Sequence, residues 1–304
     1  MSLLTVGTVA FDTIETPYGK VDYVVGGASL YASWAATFFA DNVHMISIIG
    51  EDFPESELKA LEARGATTDG IEKVSGGKSF YWAGKYNDDM ISRETLVTDL
   101  NVLADFNPVI PPNGKNADYV LLGNLTPAVQ NAVLDQLEGT PKLIVLDTMN
   151  FWIDVAREEL DRVISRVDLL TINDEEARML SGERSLVKSA KIIMESGPKY
   201  LIIKKGEHGA MLFHKDEIFY VPAMPIPEVI DPTGAGDTFA GGMLGYIASK
   251  DTVDFETIKT GIVYGSAAAS FCVEDFSNEK LKSITKEEIL ARVAKFKKLV
   301  HFES

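Results

Sequence analysis

The segment Asp231-Pro232-Thr233-Gly234-Ala235-Gly236-Asp237-Thr238-Phe239-Ala240-Gly241-Gly242 joins a turn almost free of side chains, a helix start and a carboxylate. Gly234, Ala235 and Gly236 expose successive backbone N–H groups where a helix begins, and unsatisfied donors at a positive dipole end attract phosphate oxygens. Asp237 falls in the first turn. There a carboxylate can take the proton of a substrate hydroxyl while the adjacent amides hold the phosphoryl group under attack. Two other motif readings fail. A dinucleotide fingerprint starting at Gly234 needs a glycine at 239, where Phe239 stands. Gly77-Lys78-Ser79 imitates the end of a P-loop, but the first glycine of that pattern falls on Glu72 and Ser79-Phe80-Tyr81-Trp82 reads as a strand where a helix is required.

Composition frames this chemistry. The 304 residues are 46% hydrophobic and 24% charged, enough to bury a large α/β core. A net charge of −16 excludes nucleic acid and anionic membranes as expected partners, since both demand basic surface. A nucleotide stays compatible, because its phosphates can be held by local amides, Mg²⁺ and a few cations. The single cysteine, Cys272, lies in an apolar stretch and reads as a buried small hydrophobe in a reducing, cytoplasmic setting. His44, His208, His214 and His301 lack zinc-site spacing. The first residues read as a strand and not as a signal peptide, and no apolar run has membrane-spanning length.

Short apolar runs alternate with helical patterns. Leu3–Val9, Val43–Ile49, Tyr119–Leu122, Leu143–Leu146, Asp168–Thr171 and Tyr200–Ile203 suit strands buried on both faces. Between them, Ser29–Phe39, Pro54–Arg64, Pro127–Leu137, Asp154–Ile164 and Asp174–Leu180 carry helical spacing or start signals. The expected fold is α/β: a doubly wound, mostly parallel sheet flanked by helices, in one domain over 1–304. Segments of about 13–24 and 68–106 break the alternation and read as a small antiparallel β lid.

These features together resemble the ribokinase-like, or PfkB, family of carbohydrate and nucleoside kinases over essentially the full length. The resemblance implies an ATP-dependent sugar kinase with Asp237 as general base and Gly234, Ala235 and Gly236 as anion hole, a nucleoside being the alternative acceptor. It implies that Asn173 and Glu176, in Asn173-Asp174-Glu175-Glu176, organise Mg²⁺ partly through water. Read alone, Asn173 is a helix cap. By the same resemblance Gly206 and Gly209 line the ATP cleft, Asp12, Gly26 and Gly27 bind substrate, and Asp231 and Thr233 leave a K⁺ site open. Asp12 is expected to end the first strand.

One position departs from the family. Where many sugar kinases carry an asparagine, this sequence has Tyr31, replacing a short amide by a ring that can stack on a base or sugar face. With Tyr81, Trp82 and Tyr86 of the lid, it keeps both a sugar and a nucleoside open as small-molecule partner. The lid aromatics equally suit packing within the lid or a homodimer contact. A catalytically silent sensor on the same fold is the reading from another class, and the intact Asp237 speaks against it.

Overall fold

Leu3, Leu4, Thr5 and Val6 are all buried although successive strand residues point to opposite faces, so this strand is covered on both sides. Leu3 joins one apolar cluster, and Leu4 and Val6 join another. The same division recurs at Tyr119 and Leu121 against Val120 and Leu122, so the sheet separates two cores.

The computed structural model describes residues 1–301; residues 302–304 of the expected domain lie outside the described residues. In chain order, the first half comprises β1 (Leu3–Val6), β2 (Ala10–Thr16), β3 (Gly19–Gly26), α1 (Ala28–Ala36), β4 (Val43–Gly50), α2 (Glu55–Glu62) and β5 (Ala66–Val74). There follow β6 (Phe80–Tyr86), β7 (Arg93–Asp99), β8 (Tyr119–Leu122), α3 (Pro127–Leu134), β9 (Leu143–Asp147), α4 (Asn150–Val155) and α5 (Arg157–Ile164). The chain continues through β10 (Leu169–Asn173), α6 (Asp174–Ser181), α7 (Leu186–Met194), β11 (Tyr200–Lys204), β12 (Ala210–His214) and β13 (Glu217–Val221). It ends in α8 (Ala235–Lys250), α9 (Phe255–Cys272), α10 (Glu279–Ser283) and α11 (Lys286–Leu299).

The main sheet has the order β13-β12-β11-β10-β9-β8-β1-β4-β5. It is parallel from β11 to β5, and only β12, paired antiparallel with both β11 and β13, is reversed at one edge. The carboxyl ends of the parallel strands therefore share one rim, where open α/β sheets hold their ligands. Residues of α1, α8, α9 and α11 build one core, and those of α3, α5, α6 and α7 the other. α8 approaches α1 closely because Gly241 lacks a side chain; a Cβ there would lie 2.0 Å from the Ala32 carbonyl oxygen.

The second sheet, in the order β3-β2-β6-β7, is the lid. Its pairs β2–β3 and β6–β7 are antiparallel and are joined through a parallel β2–β6 contact. Three details differ from expectation. Residues 66–74 form β5 of the main sheet and not lid, because their pairing with β4 extends the parallel rim. The expected helix over Asp154–Ile164 is two helices, since Ala156 leaves helical geometry at φ −140°. The first strand ends at Val6, and Asp12 belongs to β2.

Candidate active site

The glycine turn meets the sheet rim at the start of α8. Asp231, fully buried, anchors it by accepting the N–H of Thr233 at 2.8 Å and of Ser277 at 3.1 Å. Gly234 then adopts φ 74°, a left-handed conformation natural to glycine, and caps α8 without any side-chain bond. A Cβ on Gly234 would sit 2.5 Å from the Tyr31 ring. The turn therefore rests on that ring. Ala235 closes the turn by donating its N–H to the Pro232 carbonyl at 3.3 Å, and the helical bonds start with Thr238 donating to Gly234 at 2.8 Å. The first-turn amides of Gly236 and Asp237 precede any such partner, which leaves donors for an anion.

Asp237 stands half-buried among charges. Burial raises its carboxyl well above the usual aspartate range, Asp147 adds to that effect, and Lys204 opposes it. Asp147 and Lys204 are the last residues of β9 and β11, and they form an ion pair at 2.6 Å with side chains only 9% and 19% exposed. Lys204 Nζ would lie 3.3 Å from a Cβ on Gly236, which puts the ammonium against the turn. From the lid, Arg93 favours the ionised forms of both Asp237 and Glu176. It pairs in register with Tyr86, whose hydroxyl lies 3.2 Å from Thr233 Oγ1.

Asn173 and Glu176 form a reciprocal cap on α6: Glu176 donates its N–H to Asn173 Oδ1 at 2.8 Å, and Asn173 donates its N–H to Glu176 Oε2 at 2.7 Å. Asn173 thus spends its oxygen on the cap, while Glu176 keeps its second oxygen. Burial, opposed by Lys204, lifts the Glu176 carboxyl to about 7. Among the described residues no group of three or more acidic, histidine or cysteine side chains could cage a metal. The Glu176 oxygen left over by the cap is an acceptor that could take a water of a Mg²⁺ ion, a cation that usually keeps several waters. Gly206 faces open space at φ 54°, whereas Gly209 lies under β13, where a Cβ would strike the Val221 carbonyl at 2.0 Å. Gly209 is there for the hairpin.

On the acceptor side, the Asp12 carboxylate lies over Gly26, where a Cβ would be 2.0 Å away. Gly27 lets α1 start against Thr8, whose carbonyl a Cβ would meet at 2.4 Å. Burial, helped by Asp231 and Asp237, raises Asp12 to about 8. Trp82 pairs in parallel register with Asp12 and so shares its face of the lid, with the edge of its six-membered ring over Gly84 and its indole N–H donating to Thr95 Oγ1 at 3.3 Å. Tyr81 takes the other face and stacks on Tyr23 at 4.8 Å. Tyr31 is a correction to the sequence reading. It is 1% exposed and packed under Gly234, so it presents no face for stacking and instead supports the turn.

The arrangement brings together Asp237, the turn, Glu176, Asp231 and Asp12 from distant parts of the chain. The sequence reading passed over Asp147, Lys204 and Arg93. Lys204 does carry a signal in the sequence, as a charged residue that ends an apolar strand at the ligand rim. Cys272 is buried, its thiol pushed up to about 12 by burial, and it lies 3.6 Å from the Thr233 carbonyl as an inert packing group.

Comparison with known proteins gives this geometry a lineage. The profile of the pfkB family carbohydrate kinases matches residues 2–281. A cytidine kinase of Thermococcus kodakarensis is 30% identical over 256 residues, covering 80% of this chain and 87% of that protein. A ribokinase of Haemophilus influenzae is 31% identical over 261 residues, covering 82% and 80% respectively. A candidate ribokinase II from E. coli, solved with ATP and Mg²⁺, shares the fold at a TM-score of 0.79 and 19% identity, covering 97% of this chain and 99% of that one. The chain thus belongs to the pfkB family of carbohydrate kinases, and it is a phosphotransferase acting on a hydroxyl acceptor.

Proposed function

We propose that the protein transfers the γ-phosphoryl group of ATP to a hydroxyl of a nucleoside. The observation that carries the reading is Asp237, held one step behind a left-handed glycine turn with free first-turn amides. In the reaction the acceptor oxygen bonds to the γ-phosphorus, the bond to the β,γ-bridging oxygen breaks, ADP departs and the acceptor proton passes to Asp237. Most of the acceleration comes from positioning and electrostatic stabilisation, because phosphoryl transfer asks little covalent help of a protein. Bound Mg²⁺ would neutralise developing charge on the phosphates, with Glu176 orienting its waters.

The acceptor assignment rests on Trp82, a flat aromatic on the same lid face as Asp12. Asp12 would read a ribosyl hydroxyl while the indole covers the base. The similarity to a cytidine kinase supports this, and the similarity to a ribokinase supports a free sugar as the second reading. ADP release measured against matched panels of nucleosides and free sugars separates the two. A nucleoside should give the highest kcat/KM, and a free sugar giving it would reverse the assignment.

Asp231 is a wholly buried carboxylate beside the turn, so replacing Na⁺ by K⁺ should raise the rate if Asp231 and Thr233 help hold the larger ion. Equal rates in the two salts would remove it. All of β7 is exposed, with Leu96 and Val97 on an unpaired edge, the surface a second copy of the chain would cover. Light scattering should then give a dimer mass that falls to a monomer when Leu96 and Val97 are replaced by lysine.

A further inference from the structure

We propose that Lys204 is a phosphate-holding residue of this kinase and that Asp147 is its positioning residue. The inference rests on the kinase reading above and adds to the glycine turn a cation that the turn's own sequence does not contain. β9, β10 and β11 are neighbours in the parallel sheet, and Lys204 is level with Asn173. To reach Asp147 at 2.6 Å, the Lys204 side chain must span the end of β10. That path lays the ammonium along the rim and against Gly236, where the phosphoryl group has to sit.

Charge balance gives the pair its purpose. Asp147, Glu176 and Asp237 all surround Lys204. A triphosphate entering this cluster would meet three carboxyl groups, and a point cation in contact with the turn lets it bind, as an ammonium does for phosphates generally. Without ligand, Asp147 stores that cation. When phosphate arrives the ammonium has three N–H donors, enough to keep Asp147 and reach one phosphate oxygen. The same Asp147 charge also raises Asp237, so the pair links phosphate occupancy to the basicity of the group that takes the proton.

A buried ion pair with a purely structural role has a different signature, since replacing both partners by apolar residues leaves stability nearly unchanged. The test therefore compares wild type, Lys204→Met, Asp147→Asn and the double variant Lys204→Met/Asp147→Leu. Calorimetric binding of ADP and of the β,γ-imido analogue of ATP is measured beside turnover. Wild type should favour the triphosphate analogue, and Lys204→Met should erase that preference and lower kcat by about 10²-fold or more, the scale for losing one preorganised donor. The double variant should fold and stay as slow as Lys204→Met. Asp147→Asn should move the acid limb of kcat/KM to lower pH, because it removes a charge that raises Asp237.

Recovery of the double variant to near wild-type turnover would make the pair structural and overturn the proposal. So would an unchanged preference for the triphosphate analogue in Lys204→Met. An unmoved acid limb in Asp147→Asn would overturn the role given to Asp147. Failure of wild type to bind either nucleotide would overturn the kinase reading itself, and this proposal with it.

Discussion

The phosphate end and the lid are built from opposite materials. At the phosphate end, Asp231, Thr238 and the end of β9 are buried, the ends of β10 and β11 are half-buried, and the active groups hang from strand termini and one helix start. In the lid, β7 is exposed along its whole length and half of β3 is exposed, so these two edge strands gain little from burial, while β2 between them is almost wholly buried. Weakly buried elements open at low cost, which suits a cover that must admit an acceptor and then exclude water. The phosphate end faces the same group in every turnover and can be rigid. The lid faces whatever distinguishes one acceptor from another.

Gly234→Val should produce the largest effect and break the rigid half. A branched side chain at φ 74° and within 2.5 Å of the Tyr31 ring cannot be housed without moving the turn. Turnover should fall on the order of 10³-fold, the upper range for losing oriented donors. Near-normal kcat in a folded Gly234→Val protein would show that the turn is not where phosphate is held.

Trp82→Ala probes the other half. It should raise the KM for the acceptor by about tenfold, a loss of roughly 1.4 kcal/mol of binding, with the KM for ATP unchanged. Equal effects on both constants would mean the two ends are not separable. Glu176→Gln should raise the Mg²⁺ concentration for half-maximal rate several-fold, and an unchanged titration would reduce Asn173 and Glu176 to their cap.

The smallest effect expected is on stability and comes from Asp12. Its folded carboxyl titrates at about 8 against 3.8 unfolded, so the folded protein holds an extra proton between those values. The resulting stability is complete below the unfolded value and is lost as pH rises through the folded one. Asp12→Asn keeps the shape of the protonated acid, so above pH 8 its Tm should exceed that of wild type by about 2 °C or more. A lower Tm at that pH would mean that the charge is better accommodated than its burial implies.

How much of this was legible in the sequence follows the same division. The glycine turn, Asp237, the cap at Asn173 and the parallel strands were readable because each depends on neighbours close in the chain or on continuous apolar runs. β5 was misread as lid because its alternation, half-buried at a sheet edge, looks like that of a lid strand, and only its pairing with β4 decides. The Ala156 break was invisible because alanine favours helix and tertiary context overrode it. Tyr31 was assigned by its distance from the di-glycine. Its direction depends on α8 packing against α1, more than 200 residues later in the chain, and that packing turns the ring toward Gly234.

The central claim is that Asp237 takes the acceptor proton at a phosphate site held mainly by backbone and charge. Its most direct test is Asp237→Asn, followed by single-turnover transfer with the best acceptor and by calorimetric binding of the ATP analogue. The transfer rate should fall by about 10²-fold or more, the contribution expected of a positioned base, and lose the acid limb that the raised Asp237 carboxyl should give wild type above the ordinary aspartate value of 3.8, while analogue affinity stays close to wild type. Transfer at nearly the wild-type rate, with the acid limb intact, would contradict it.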